Sequence, residues 1–332
     1  EETSAILGFP WSESIADVPA TVSITKEIAD FLFMYVVNRN DWNQLQSQKI
    51  AVEVEAKLGT LIDKSTNQRL DLPIASEAAL AAGYGGGPAG MGSKIQFRSE
   101  MPEEIFQMGN GWLNNRVEQT SKPGNGPKIH YVHRREIDTF YNLGTEALKT
   151  LPPAMQQYLN TPHLRNRGLK VRVSRDQKTD KEIARIVKAR VADLDVYFPK
   201  GGMDCRISVN LEMEYDGDLP IDAGIQPGVD DEGERRKDRL SYKQAGYTVD
   251  LTQVSSAVSI VPTTDLRYIS IYRKSAFTNN HPGQTLNPRA RNRNRYRYPG
   301  SARQKTCYGG EELLRGFCGW IGGEGKDVDW GD

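Results

Sequence analysis

Glu53 and Glu55 stand two residues apart in a segment, Ile50 to Leu58, where Val52, Val54, Ala56 and Leu58 alternate with Glu53, Glu55 and Lys57. Strict alternation predicts a strand with one apolar and one charged face, so the two carboxylates project side by side. Placed in this way, each gives an oxygen to one hard cation, Mg²⁺ or Mn²⁺. Lys57, Arg172, Lys188, Lys237 and Arg239, on comparable strand faces, are suited to phosphate oxygens, the arginines through forked hydrogen bonds. The chemistry this set predicts is phosphoanhydride hydrolysis. The cation polarises the terminal phosphate, basic side chains take up the spreading charge, and Glu212, from a different strand, orients the attacking water.

The elements that must position these residues are mostly strands. Alternating runs recur at 170–174, 183–191, 206–214, 235–241 and 248–252, and a further strand is predicted over 128–141. Any one charged strand face can simply meet solvent. Six runs with Glu, Arg and Lys at such density point instead to a closed antiparallel barrel, its lumen charged and its apolar side outside, covered by helices and loops. Helical spacing of Ile28, Phe31, Leu32, Tyr35 and Val36 predicts a first amphipathic helix, capped by Ser23 or Thr25. Short helices are expected at 100–107 and 145–159, the second broken at Leu151-Pro152-Pro153. The Gly-rich stretch 81–93 lacks a following Gly-Lys-Ser/Thr and is read as a surface loop, not a phosphate loop.

Composition narrows the possibilities. The 332 residues balance 43 basic against 43 acidic side chains, so any anion site is local. Cys205, Cys307 and Cys318 are too few and too irregular for a disulfide framework or a zinc site, which points to a reducing compartment. The histidines 130, 133, 163 and 281 have no paired metal spacing, and His130 and His133 are read as structural. No stretch is apolar for long enough to span a bilayer, and the N-terminus lacks a secretory pattern, so a soluble intracellular protein without membrane contact is expected.

Over residues 22–265 the chain resembles the fungal RNA 5′-triphosphatase subunit of the mRNA-capping enzyme, a triphosphate-tunnel metalloenzyme. The segments that carry the resemblance are VEVEAKLG (52–59), KVRVSRDQKT (170–179), IVKARVADLDVYFP (186–199), RISVNLEMEY (206–215), RRKDRLSY (235–242) and TVDLTQV (248–254). It implies a mainly β, α+β fold built on an eight-stranded antiparallel tunnel. It also implies Glu53 and Glu55 as ligands of Mg²⁺ or Mn²⁺, Arg172, Lys188, Lys237 and Arg239 on the triphosphate, Glu212 on the water, and Asp250 and Thr252 in the lumen network. The substrate would be the 5′-triphosphate end of nascent RNA, the partner the guanylyltransferase subunit, and the compartment the nucleus.

Two departures stand against the family pattern. Thr248 replaces an expected basic residue, and the family's third acidic strand, of the form H-E-L-E-I-E, is absent after residue 254. Arginine instead occupies every second position from Arg289 to Arg297, which read directly is an RNA-binding tract. The genetic code offers another account. If Arg289, Arg291, Arg293 and Arg295 are each encoded by CGA, a frame beginning one nucleotide later reads Glu-x-Glu-x-Glu-x-Asp. With suitable Pro, Ala and Asn codons it reads H-E-L-E-I-E-I-D. On this account residues 266–332 are an out-of-frame tail, the last strand of the tunnel is lost to it, and residues 1–21 form an N-terminal extension.

Two other functions fit the same residues. Glu53-x-Glu55-x-Lys57 also resembles the ExExK strand of tunnel enzymes that act on NTPs, inorganic triphosphate or thiamine triphosphate. A chain lacking its last acidic strand would also serve as a catalytically impaired protein that binds RNA or a capping partner.

Overall fold

The computed structural model describes residues 24–81, 94–124, 126–159, 168–219, 234–244, 246–256 and 266–274. The Gly-rich stretch beyond residue 81, the arginine tract, Ser23, His163, His281, Cys307 and Cys318 lie outside the described residues. The first helix, α1 (Ile24–Leu32), runs on as a π-helical turn, Phe33–Val37, and Thr25 lies inside it rather than capping it. A short α2 (Trp42–Ser47) leads into β1 (Ala51–Asp63), followed by β2 (Gln68–Arg69), β3 (Ala78–Ala79) and β4 (Ile95–Arg98).

The remaining helices are α3 (Glu103–Ser121), α4 (Thr145–Thr150) and α5 (Pro153–Gln156). The last two flank Leu151-Pro152-Pro153, where proline breaks the chain as expected. Helix α3 runs well past the predicted 100–107. Gly109, Gly111 and several Asn and Gln residues blur its periodicity, and tertiary contacts, Leu113 in the core and the Tyr242 hydroxyl 2.8 Å from Oδ1 of both Asn110 and Asn114, replace what propensity lacks.

Strands β5 (His130–Asn142), β6 (Lys170–Asp176), β7 (Glu182–Tyr197), β8 (Asp204–Glu214), β9 (Arg235–Gln244), β10 (Tyr247–Ser256) and β11 (Leu266–Lys274) complete the sheet. All pairings are antiparallel, in the order β11-β10-β9-β5-β6-β7-β8-β1, and β1 pairs with β11 to close an eight-stranded barrel. The eighth place is therefore filled. Leu266–Lys274, at the head of the segment expected to be out of frame, supplies the strand, but its lumen-facing residues Tyr268, Ser270, Tyr272 and Lys274 include no carboxylate. The far half of β1 leaves the barrel and pairs with β2 and β4.

The barrel is inside out, as the alternation predicts. Outward residues Val52, Val171, Val173, Val187, Ala189, Val209 and Leu211 are buried beneath α1, α2, α4 and α5. Ile207, Tyr242, Val249, Leu251 and Ile269 are buried beneath α3 and the start of α1. Each fully covered aliphatic side chain contributes about 1.5–3 kcal/mol. The apolar stabilisation thus lies outside the barrel wall, and the lumen is left to polar chemistry. No described helix is long and apolar enough to cross a membrane.

Candidate functional site

Three strands bring the main acidic cluster together. Glu53 and Glu55 come from β1, Glu212 from β8, and Lys188 from β7, directly opposite Glu212 in register. The two β1 carboxylates are only 4% and 7% exposed. The Lys188 ammonium donates to Glu53 and lies 3.3 Å from Glu55 and 3.2 Å from Glu212. Lys57 reaches the same Glu55 oxygen at 3.3 Å. From β11, the Lys274 ammonium sits 2.5 Å from Glu212 and 3.8 Å from Glu53.

The charges respond to burial and to one another. Burial pushes Glu53 up, and the neighbouring acids Glu212 and Glu55 add to it, so that it lies above the ordinary carboxylate range despite Lys188. Burial pushes Glu55 up as well, but Lys188 and then Lys57 outweigh it and hold this carboxyl down at about 2. Glu212 is likewise held low, against burial, by Lys188 and Lys274. Burial disfavours the Lys188 ammonium, yet three surrounding carboxylates raise its pKa.

A second cluster lines β5, β6, β9 and β10. Lys237 donates to Asp138, which also accepts from the Ser174 hydroxyl at 2.7 Å, and Arg172 stands 4.0 Å from the same carboxylate. Arg239 lies 3.5 Å from Glu136 and 3.3 Å from Asp250, and Ser241 donates to Asp250 at 2.7 Å. Asp250 is pushed up by burial more than Arg239 lowers it. Three donors in this region, Arg172 Nε, Arg239 Nε and Thr252 Oγ1, are buried and make no hydrogen bond among the described residues. Orphaned buried donors are costly, and anionic oxygens are suitable acceptors for groups of this kind.

The structure thus places Glu53, Glu55, Lys188 and Glu212 in one cluster and Arg172, Lys237, Arg239, Asp250 and Thr252 in another, all on the lumen side. Sequence reasoning missed Glu136 and Asp138, although their alternation within 128–141 marked them. It also missed Asn210, whose amide donates to Glu53 at 3.2 Å while its Oδ1 has no partner among the described residues, and a third ionic layer of Asp193, Asp195, Arg190 and Arg206. His133 sits outside the lumen, its imidazole 2.6 Å from the Asp238 carboxylate.

The oxygen donors around Glu53 are of the kind a hard divalent cation takes. As arranged, they do not form a site for one. Among the described residues no three carboxylate, imidazole or thiolate groups converge closely enough to hold a metal, because two ammonium groups stand between the carboxylates.

A closed barrel with cations and acids interleaved along its lumen and apolar walls outside defines a tunnel protein for a polyanion. The chain belongs to the family described as mRNA capping enzyme, beta chain, whose profile matches residues 18–266. It is 29% identical over 253 residues to the mRNA-capping enzyme subunit beta of Schizosaccharomyces pombe, covering 76% of this chain and 69% of that protein. The corresponding subunit of Yarrowia lipolytica is 28% identical, with 77% of this chain and 54% of that protein covered. Among solved structures, the S. pombe Pct1 RNA triphosphatase in complex with the Spt5 CTD superposes with a TM-score of 0.57 at 26% identity, over 80% of this chain and 84% of that one. A second structure of the S. pombe Pct1 RNA triphosphatase gives a TM-score of 0.54 at 26% identity, over 79% of this chain and 83% of that one.

Proposed function

We propose that this chain is an RNA 5′-triphosphatase that converts pppRNA to ppRNA and inorganic phosphate, the first step of mRNA 5′ capping. The observation that carries this reading is the set of orphaned donors on Arg172, Arg239 and Thr252 in a lumen already rich in lysine and arginine. In the reaction, water oxygen adds to the γ-phosphorus as the bond to the β-phosphate oxygen breaks. Lys188, Arg172, Lys237 and Arg239 hold the phosphate oxygens and stabilise the charge that spreads over them. Glu212 orients the water, and Asp250 fixes Arg239.

The family implies a divalent metal; Mg²⁺ or Mn²⁺ is the proposed identity and Glu53 and Glu55 are the residues that would hold it, which requires that the Lys188 ammonium leave Glu53. The guanylyltransferase subunit of the capping enzyme is the proposed partner and the nucleus the proposed compartment. The acidic strand expected opposite Glu53 is proposed to be encoded across Arg289 to Arg295 in another frame. Any of those arginines encoded by AGA, AGG or a CGN codon other than CGA defeats that part.

The test is release of labelled γ-phosphate from pppRNA by the purified chain with Mg²⁺ or Mn²⁺, with ATP and inorganic triphosphate as competitors. Phosphate release that is lost in Glu53→Ala and Glu55→Ala supports the reading. Preference for inorganic triphosphate over pppRNA makes the chain a small-molecule hydrolase, and no turnover at all makes it a binding protein.

A further inference from the structure

We infer that a groove on the outer wall of the barrel holds a phosphodiester of the substrate RNA, downstream of the reacting triphosphate. The inference rests on the reading that the chain acts on RNA 5′ ends, and concerns where the rest of that RNA lies. The groove has a volume of about 300 Å³ and is lined by Arg135, Gln177, Arg236, Asp238, Gln253 and Ser255. That is the lower end of the range for small-ligand pockets, enough for one sugar-phosphate unit. Arg236 and Ser255 stand opposite each other in register, and Asp238 stands between Arg135 on β5 and Gln253 on β10. One row further along the same strands come His133, Leu240 and Leu251, where the apolar outer skin begins.

Position sets the groove at the barrel rim. Gln177 follows the last residue of β6, Arg236 is the second residue of β9, and Ser255 is the last but one of β10. The Gln177 amide donates to the Glu136 and Lys237 carbonyls at 3.0 and 3.2 Å, which fixes it against the wall. Lys237, directly after Arg236, faces the lumen and pairs with Asp138. Groove and lumen are thus two faces of one wall, and an RNA whose triphosphate occupies the lumen reaches the groove by turning over this edge.

The charge balance favours a phosphodiester. Asp238 is taken by Arg135 at 3.1 Å and by His133 at 2.6 Å. Arg175, in line with Arg236 across Ile137, is held by Glu234 and Asp180. Arg267, opposite Gln253 on β11, is held by Glu103 and takes no part. Arg236 is exposed, and its guanidinium makes no ion pair or hydrogen bond among the described residues. The lining therefore has one guanidinium to spare, which matches the single charge of a phosphodiester. Asp238 beside it disfavours the nearly doubled charge of a phosphorylated side chain. Gln253 and Ser255 supply neutral groups suited to phosphate or ribose oxygens.

The experiment measures binding of the full chain, in EDTA, to a 3′-labelled single-stranded pppRNA by fluorescence anisotropy at several salt concentrations, and to inorganic triphosphate by calorimetry. The proteins are the wild type, Arg236→Gln, Arg236→Glu and Ser255→Glu, with two strands altered so that no single misfolded variant decides the result. Each variant is expected to lose at least about threefold in pppRNA affinity. Arg236→Gln is expected to lower the salt slope by about 0.7, the value for one phosphate contact on a single strand. Affinity for inorganic triphosphate, which ends inside the lumen, is expected to stay within a factor of about two. Unchanged pppRNA affinity in the variants, or an equal loss for inorganic triphosphate, overturns the inference. So does a phosphothreonine peptide that the wild type binds and Arg236→Glu does not, if pppRNA affinity is unaltered. Arg236-dependent pppRNA binding without phosphate release in Mg²⁺ or Mn²⁺ leaves the inference standing and overturns the functional reading instead. Phosphate release from pppRNA with equal affinities in every protein does the reverse.

Discussion

Lys237 reaches past its direct cross-strand neighbour, Glu136, to donate to Asp138, leaving Glu136 to Arg239. This diagonal exchange across β9 and β5 keeps both cations buried and paired while their remaining donors face the lumen. Asp138 is fully buried and Lys237 nearly so. Removing one partner of such a pair leaves the other charge uncompensated, so Asp138→Ala should cost about 3–5 kcal/mol of unfolding free energy, read by denaturant titration. The pH dependence has a definite sign. Burial raises the Asp138 pKa, but Lys237 and its hydrogen bond outweigh burial and depress it. A depressed carboxyl contributes stability that is complete above its unfolded pKa of about 3.9 and lost as pH falls towards the folded value. Stability of the wild type should therefore fall more steeply below about pH 4 than that of Asp138→Asn.

Arg239 is predicted to be irreplaceable by lysine. Its guanidinium spans Glu136 and Asp250, while its Nε makes no hydrogen bond among the described residues, so both the fork and the spare donor are used only if the planar group is retained. Removing one preorganised donor to a developing oxyanion typically costs about a hundred- to a thousandfold in rate. Arg239→Ala should lose activity on that scale in kcat/KM, and Arg239→Lys should recover less than about a tenth of the loss. Steady-state phosphate release decides this, and a fully active lysine variant defeats the forked-contact argument.

The lumen was legible because its chemistry inverts the usual rule. Arg206, Ser208, Asn210 and Glu212 alternate with buried Ile207, Val209 and Leu211, and that pattern fixes both the strand and its faces. Legibility ends where the period breaks. Between Arg190 and Ala192 the register of β7 on β8 slips, so after Lys188 and Arg190 it is Asp193 and Asp195, not the even-numbered positions, that meet Ser208 and Arg206. A bulge shifts every later side chain to the opposite face, and single-strand alternation contains no sign of it. β11 was missed for a different reason. Leu266–Lys274 alternates, but its inward set of Tyr, Ser, Tyr and Lys does not resemble the acidic strand expected there. Its place is set by closure between β10 and β1, a tertiary demand.

A structural ion pair outside the lumen separates stability from catalysis. Asp204, fully buried, accepts from the backbone amides of Leu61 at 2.9 Å and Phe198 at 3.1 Å, and from the Arg69 guanidinium at 2.6 Å. One carboxylate thus ties β1, β2 and the end of β7 together beyond the barrel. Asp204→Ala orphans two amides and a cation, with an expected loss of about 3–5 kcal/mol in denaturant unfolding. Turnover at a temperature where the variant remains folded should stay within a factor of about two of the wild type, as expected for a site remote from the reacting atoms.

Gly59 marks the point where β1 leaves the barrel to pair with β4, four residues after Glu55 on the same strand. A Cβ added there would lie 2.1 Å from the Arg98 carbonyl oxygen and 2.6 Å from the Phe97 ring, and the first of these is backbone that cannot swing aside. Gly59→Ala must therefore separate β1 from β4. Because Leu58 and Lys57 precede it directly and pair with Cys205 and Arg206, the displacement should also reach the lumen through β8. Overpacking of this kind typically costs about 1–3 kcal/mol. The variant should unfold at lower denaturant and show weakened Mn²⁺ binding, since Glu55 shares the displaced strand. Unchanged stability would mean that the β4 segment yields freely. Lost stability with Mn²⁺ affinity intact would mean that the barrel and its extension are mechanically independent at this glycine.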